Sequence, residues 1–256
     1  MFGTRARSGP AEIAPGASGA PIIAARSMSV GYGRMPVVCD LTLEVHAGEV
    51  VCLLGANGAG KTTTLLGLSG QLPTLEGHVE WCGQPVHSPL HVRAREGLSY
   101  VPEERSVIRG LTVLENLRIG RGSVDAALEY APMLGHLLKR PAGLLSGGEQ
   151  QILTLARALA AEPKLLLADE LSLGLAPNVV ERLLGAVQDA SKRGVAVLLV
   201  EQHVRSALAI ADTAFVLRRG RIAMSGEGQN LLGRLDEIEA SYLADDPDVA
   251  SSDIGG

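Results

Sequence analysis

The sequence predicts an α/β fold with a mostly parallel core sheet, an antiparallel β part and a helical subdomain. Three observations predict it. Short β-rich runs alternate with helical ones, as parallel strands joined by covering helices require. A stretch of helical tendency, Thr112 to Arg140, falls between two such strand–helix blocks, which marks a helical insertion. Near the end, the runs Phe215 to Leu217 and Ile222 to Ala223 flank the turn Arg219-Gly220-Arg221, an antiparallel hairpin.

In chain order, residues 1–26 are rich in Gly, Ala, Pro and Ser. Glu12 and Pro15 interrupt any apolar run that could serve as a signal-peptide core, so this stretch reads as a flexible extension. The main domain is placed at 27–244. Val50 to Leu54 reads as a strand followed by a helix from Lys61. The helical insertion covers about 104–145, with Leu111, Val113, Leu114 and Leu117 at helical spacing. Leu165 to Ala168 is a strand with a helix after Pro177, and Val195 to Val200 is a strand with a helix over Val204 to Ala211. A last amphipathic helix runs from Leu231 to Leu243, and 245–256 is an acidic tail too polar to pack. No internal repeat is found.

Composition narrows the function classes. Apolar residues make up 46% and charged residues 20%, ordinary for a globular chain. The longest apolar stretches, such as Val195 to Val200, fall far below the roughly 18–20 residues needed to cross a bilayer. A net charge of −5 argues against the basic footprint of a nucleic-acid binder, so no nucleic acid is expected as partner. Cys39, Cys52 and Cys82 are odd in number and unclustered, which implies neither a disulfide framework nor a zinc site. His87 and His91 have Pro89 between them and no third ligand nearby, and read as surface residues.

Gly55-Ala56-Asn57-Gly58-Ala59-Gly60-Lys61-Thr62 satisfies the P-loop pattern G-x-x-x-x-G-K-S/T, after a strand and before a helix, with Thr63 beside it. The glycines let backbone N–H groups turn inward around phosphates, and the opening helix adds its positive end. Lys61 would neutralise the β- and γ-phosphates of ATP, and Thr62 would place its hydroxyl on Mg2+. Leu165 to Glu170 is an apolar strand ending in two carboxylates. Asp169 would hold the Mg2+ shell, and Glu170 would orient and deprotonate the attacking water.

Leu145-Ser146-Gly147-Gly148-Glu149-Gln150-Gln151, lying between these two motifs, resembles the signature of ABC ATPases. Ser146 before two glycines and a long helix is an exposed helix start able to meet an anion, and with Glu149 it also forms a helix cap. The resemblance runs from about Met28 to Leu243 and is nearest the ATPase subunits of branched-chain amino-acid importers. Val101-Pro102-Glu103, Ser172 to Pro177, Val200-Glu201-Gln202 and Ala240-Ser241-Tyr242-Leu243 carry that likeness.

The resemblance implies the P-loop NTPase fold of ABC ATPases. It implies a dimer, with itself or a sister ATPase, in which each ATP lies between one P-loop and the partner's Ser146-Gly147-Gly148. It further implies Tyr32 stacked on adenine and Glu103 at the metal and sensing the γ-phosphate. Membrane permease subunits would dock on the helical insertion at the cytoplasmic face, and a solute-binding protein would act indirectly. Hydrolysis would drive import, most often of a branched-chain amino acid; urea, amide or other amino-acid importers, or a soluble non-transport ABC ATPase, are the alternatives. Two positions depart from the pattern. Leu171 stands where the family has proline, which leaves the base less firmly posed. Gln202 aligns with the family's switch histidine, while His203 follows one residue later, so either could reach the γ-phosphate. The segment between Asn116 and Ser146 is also shorter than usual.

Overall fold

The computed structural model describes residues 19–243. The expected acidic tail 245–256 and most of the expected N-terminal extension lie outside the described residues. The part of that extension that falls inside is not loose. Strand β1 (Ile23–Tyr32) begins ahead of the boundary set at 27, with Ile23, Ala24 and Ala25 fully buried.

Two sheets form the molecule. The first is antiparallel, in the order β2-β1-β4-β5, with β2 (Met35–Val45), β4 (Thr74–Trp81) and β5 (Gln84–Val86) around β1. The second holds β3 (Val50–Leu54), β6 (Leu98–Val101), β7 (Leu165–Asp169), β8 (Ala196–Glu201), β9 (Thr213–Arg218) and β10 (Arg221–Glu227) in the order β10-β9-β3-β8-β7-β6. From β9 to β6 it is parallel throughout, and β10 closes it as the antiparallel arm of the Arg219–Arg221 hairpin. Strands β3, β7 and β8 are buried at every position, which is why they read as unbroken apolar runs rather than alternating ones.

The insertion between β6 and β7 is helical but broken. It holds α3 (Val113–Arg118), α4 (Val124–Tyr130), two short 3-10 turns at 132–137 and 142–144, and the long α5 (Gly147–Leu159). Continuous helix over Thr112 to Arg140 is interrupted at Gly122, where a Cβ would stand 1.8 Å from the Ala160 carbonyl oxygen, and again at Pro132. The single helix expected over Leu231 to Leu243 is likewise two, α8 (Gly228–Leu232) and α9 (Leu235–Leu243), parted at Gly233.

Parallel order positions the site. Adjacent strands β3, β8, β7 and β6 all point their C-terminal ends the same way. The loops leaving those ends form a crevice, the usual ligand position in an open α/β sheet.

Candidate nucleotide-binding and hydrolysis site

Each of the four strand ends delivers one part. β3 runs into the Gly55–Thr62 loop and α1 (Lys61–Ser69). β8 ends beside Gln202, β7 at Asp169 and Glu170, and β6 just before Glu103. Together they line a cleft of about 440 Å3, whose walls include Asn57, Lys61, Thr62, Glu103, Glu170 and Gln202. Gly58, Gly60 and Thr63 complete the loop side.

The loop's shape requires glycine. Gly60 sits at φ 108° as the residue before α1, and a Cβ there would stand 2.8 Å from the Val38 side chain. Gly55 meets the backbone instead, a Cβ coming 2.6 Å from the Leu217 carbonyl oxygen. Lys61 is 5% exposed and folds back over the loop, its Nζ donating to the carbonyls of Gly55 at 2.9 Å and Ala56 at 3.2 Å. It also pairs with Glu170 Oε1 at 3.3 Å.

Glu170 is 9% exposed and holds a left-handed backbone, φ 46°. Gln202 Nε2 donates to Glu170 Oε1 at 3.3 Å and also bonds Asn57 Oδ1. Gln202 thus bridges the phosphate loop and the glutamate. His203 does not join them. It begins α7 (Val204–Leu208), and its exposed ring faces a separate cavity with Leu175, Pro177 and Arg205. The strand ends at Glu201 and the helix starts at Val204, so consecutive side chains here diverge, and the one-residue slip that would bring His203 in does not occur. Gln202→Ala should lower ATP turnover roughly 10–100-fold, the worth of a hydrogen bond to a charged group, and His203→Ala should stay near wild type. Phosphate release measured on both variants compares them directly.

Asp169 is fully buried with no hydrogen-bond partner for either oxygen. Burial raises its carboxyl to about 6; the charges of Glu170 and Glu103 add to this, and the nearby Thr62 hydroxyl and Lys61 oppose it. An orphaned buried carboxylate is costly. Next to the exposed Thr62 it forms a hard-oxygen donor pair suited to Mg2+, which takes one or two protein oxygens and keeps the rest for phosphate and water. Among the described residues no group of three or more His, Cys, Asp and Glu side chains forms a self-sufficient metal cage.

Other expected residues lie elsewhere. Tyr32 is 57% exposed in the β1–β2 hairpin and does not line the cleft; Val37, which sequence reasoning passed over, does. Nothing in its local pattern marks Val37. Ser146, Gly147 and Gly148 open α5 away from the cleft. Ser146 Oγ accepts the Glu149 N–H at 3.3 Å and Glu149 returns the bond to the Ser146 N–H at 2.7 Å, the reciprocal cap. Leu171 is buried in the core at 1% exposure.

A glycine-cradled phosphate loop after β3, a buried lysine, and two carboxylates at the end of β7, with β8 lying between the two strands, define a P-loop nucleotide hydrolase. Known proteins narrow the class. The family described as ABC transporter matches residues 38–172. The high-affinity branched-chain amino acid transport ATP-binding protein BraG of Pseudomonas aeruginosa is 41% identical over 226 residues, 84% of this chain and 97% of BraG. The lipopolysaccharide export system ATP-binding protein LptB of Escherichia coli K12 is 33% identical over 236 residues, 88% of this chain and 98% of LptB. Among solved structures, the ADP conformation of MJ1267, an ATP-binding cassette of an ABC transporter, superposes with a TM-score of 0.76 at 25% identity, covering 86% of this chain and 98% of that one. The chain belongs to the ABC transporter ATP-binding family and is an ATP-hydrolysing subunit.

Proposed function

We propose that this chain is the ATP-hydrolysing motor of an importer for branched-chain amino acids, seated on permease subunits at the cytoplasmic face of the membrane. The likeness to BraG over nearly the whole of both chains carries the solute. No helix among the described residues is long and apolar enough to cross a membrane, which agrees with a peripheral subunit.

The working site is half of a pair. In this reading ATP binds the Gly55–Thr62 loop, and Ser146-Gly147-Gly148 of one chain meets the nucleotide of the other, since on a single chain the two do not share a cleft. The second chain is another copy or a sister ATPase. Thr62 and Asp169, together with Glu103, would hold Mg2+, which would supply charge neutralisation on the phosphates. Lys61 exchanges its loop carbonyls and Glu170 for phosphate oxygens. Freed of Lys61, Glu170 takes the proton of the attacking water, with the Gln202 amide fixing its Oε1.

Closure reaches the permease through the loop after Glu103. That loop carries Ser106, whose carbonyl and hydroxyl accept bonds from Arg157 Nη2 of α5. Beside it lies a cavity of about 420 Å3 lined by Arg95, Tyr100, Arg121 and Arg157, between α2 (Leu90–Glu96), β6 and α5. Its three guanidinium groups suit a permease segment bearing carboxylates. Arg121→Glu should therefore weaken capture of the permeases in detergent pull-downs, and wild-type capture should fall as salt rises while the variant's is less salt-sensitive.

Uptake of radiolabelled leucine by the host is the deciding measurement. Deleting the gene should abolish high-affinity uptake, and the wild-type gene should restore it. The likeness to LptB favours a second reading, a motor for a different transported substance. Unchanged leucine, isoleucine and valine uptake in the deletion strain would select that reading.

A further inference from the structure

Three consecutive residues at the end of β8 each grip the segment that follows β7. The Val200 carbonyl accepts the Glu170 N–H at 2.9 Å. The Glu201 carboxylate accepts both donors of Ser172, the N–H at 3.0 Å on Oε1 and the hydroxyl at 2.5 Å on Oε2. Gln202 reaches Glu170 Oε1. The outer two act on Glu170 itself, whereas Glu201 bonds Ser172, two residues further on.

Glu201 and Ser172 are each 2% exposed. A carboxylate that deep is costly to keep unless its oxygens are satisfied, and here Ser172 satisfies both where a cation is more usual. The segment so held needs holding. Glu170 adopts a left-handed backbone that side-chain-bearing residues avoid, and such strain persists only where the surroundings over-determine it. The proline expected after it is absent, and two anchors stand in its place. Leu171 is sunk in the apolar core on one side, and Ser172 is locked to Glu201 on the other.

The geometry points to Glu201 as a positioning residue, acting through Ser172 to hold Glu170 in its reactive pose and to tie the catalytic segment to the Gln202 switch. This rests on Glu170 being the general base. Misplacing a base by a fraction of an ångström to an ångström lowers the chemical step and spares nucleotide binding, which depends on the β3 loop.

The test uses the full chain and compares Ser172→Ala, Ser172→Thr, Glu201→Gln and Glu170→Gln by steady-state phosphate release and by titration with a fluorescent ATP analogue. Ser172→Ala should lose roughly 10–100-fold in kcat with analogue affinity within about twofold of wild type. Ser172→Thr keeps the hydroxyl and should recover most of the rate. Glu201→Gln keeps one acceptor and should fall with Ser172→Ala, the double variant adding little to either single one. In a Glu170→Gln background, Ser172→Ala should have almost no further effect on turnover, because the base it positions is gone. A Ser172→Ala enzyme with wild-type kcat overturns the assignment. So does one in which affinity and kcat fall together, or one whose loss persists undiminished in the Glu170→Gln background. Failure of the underlying reading looks different: Glu170→Gln itself would then turn over at the wild-type rate.

Discussion

Glu170→Gln is expected to depress ATP turnover by roughly 10²–10⁴-fold, the usual worth of a general base, while binding ATP at least as tightly as the wild type. The amide keeps the size of the side chain and an oxygen acceptor for Gln202, so the hydrogen bond seen at 3.3 Å need not be lost. It removes basicity and one negative charge. That charge is paired with Lys61 at 3.3 Å, and it repels incoming phosphates in a part of the cleft where both partners are nearly buried. Removing it frees Lys61 for the nucleotide, hence affinity should rise a few-fold as turnover collapses. Single-turnover phosphate release together with analogue titration separates the two effects. Wild-type hydrolysis in this variant would remove Glu170 from its role, and intact chemistry with lost binding would make the residue structural.

The residues that were legible in the sequence are those whose chemistry is local. The Gly55–Thr62 loop is marked by its own glycines and the strand and helix on either side, one continuous stretch from Val50 to Ser69. Asp169 and Glu170 announced themselves because an unbroken apolar strand that ends in two carboxylates is expensive unless they are used. The Ser146–Glu149 cap was equally local, and its bonds formed as the spacing dictated. What escaped depends on contacts between distant segments. Glu201 grips Ser172 across 29 positions, and Arg157 reaches Ser106 across 51. Neither pair has a pattern that a reader of one chain could recognise. Gly122 gave no sign that it passes against the Ala160 backbone, so the insertion read as more continuously helical than it is. Gln202 and His203 differ by one residue, and only the place where β8 stops and α7 starts decides between them. Leu171 illustrates the same limit from the other side. Its departure from proline suggested a loosely posed base, whereas the fold buries the leucine and adds the Ser172 anchor beside it.

Asp169→Asn should make the nucleotide-free, metal-free chain more resistant to heat at pH 8 even as it removes turnover. The carboxyl is fully buried and both oxygens lack partners; burial above all, then the charges of Glu170 and Glu103, raise it from 3.8 to about 6. A folded value above the unfolded one means that the folded chain holds a proton the unfolded chain has already released. This group therefore opposes folding above pH 6, and the opposition fades as pH falls from about 6 to below 3.8, where both states are neutral. Two units correspond to up to about 3 kcal/mol at pH 8. Asparagine is neutral at every pH and escapes that cost, so its melting temperature should exceed the wild type's by several degrees at pH 8, roughly 2–4 °C per kcal/mol for a chain of this size. The gap should narrow steadily toward pH 4. Mg2+ and ATP should reverse the order. A cation beside Asp169 and Thr62 supplies the partner that the carboxylate lacks, so ligand binding stabilises the wild type by mass action and the variant much less. Losing several kcal/mol of charge stabilisation in the transition state should also cut turnover by roughly 10²-fold or more. Scanning calorimetry at pH 8 and pH 5, with and without Mg2+ and ATP, reads both halves of this trade. A variant less stable than the wild type at pH 8 without ligand would show that Asp169 supports the fold in its own right, and that its buried carboxylate is not held in reserve for a metal.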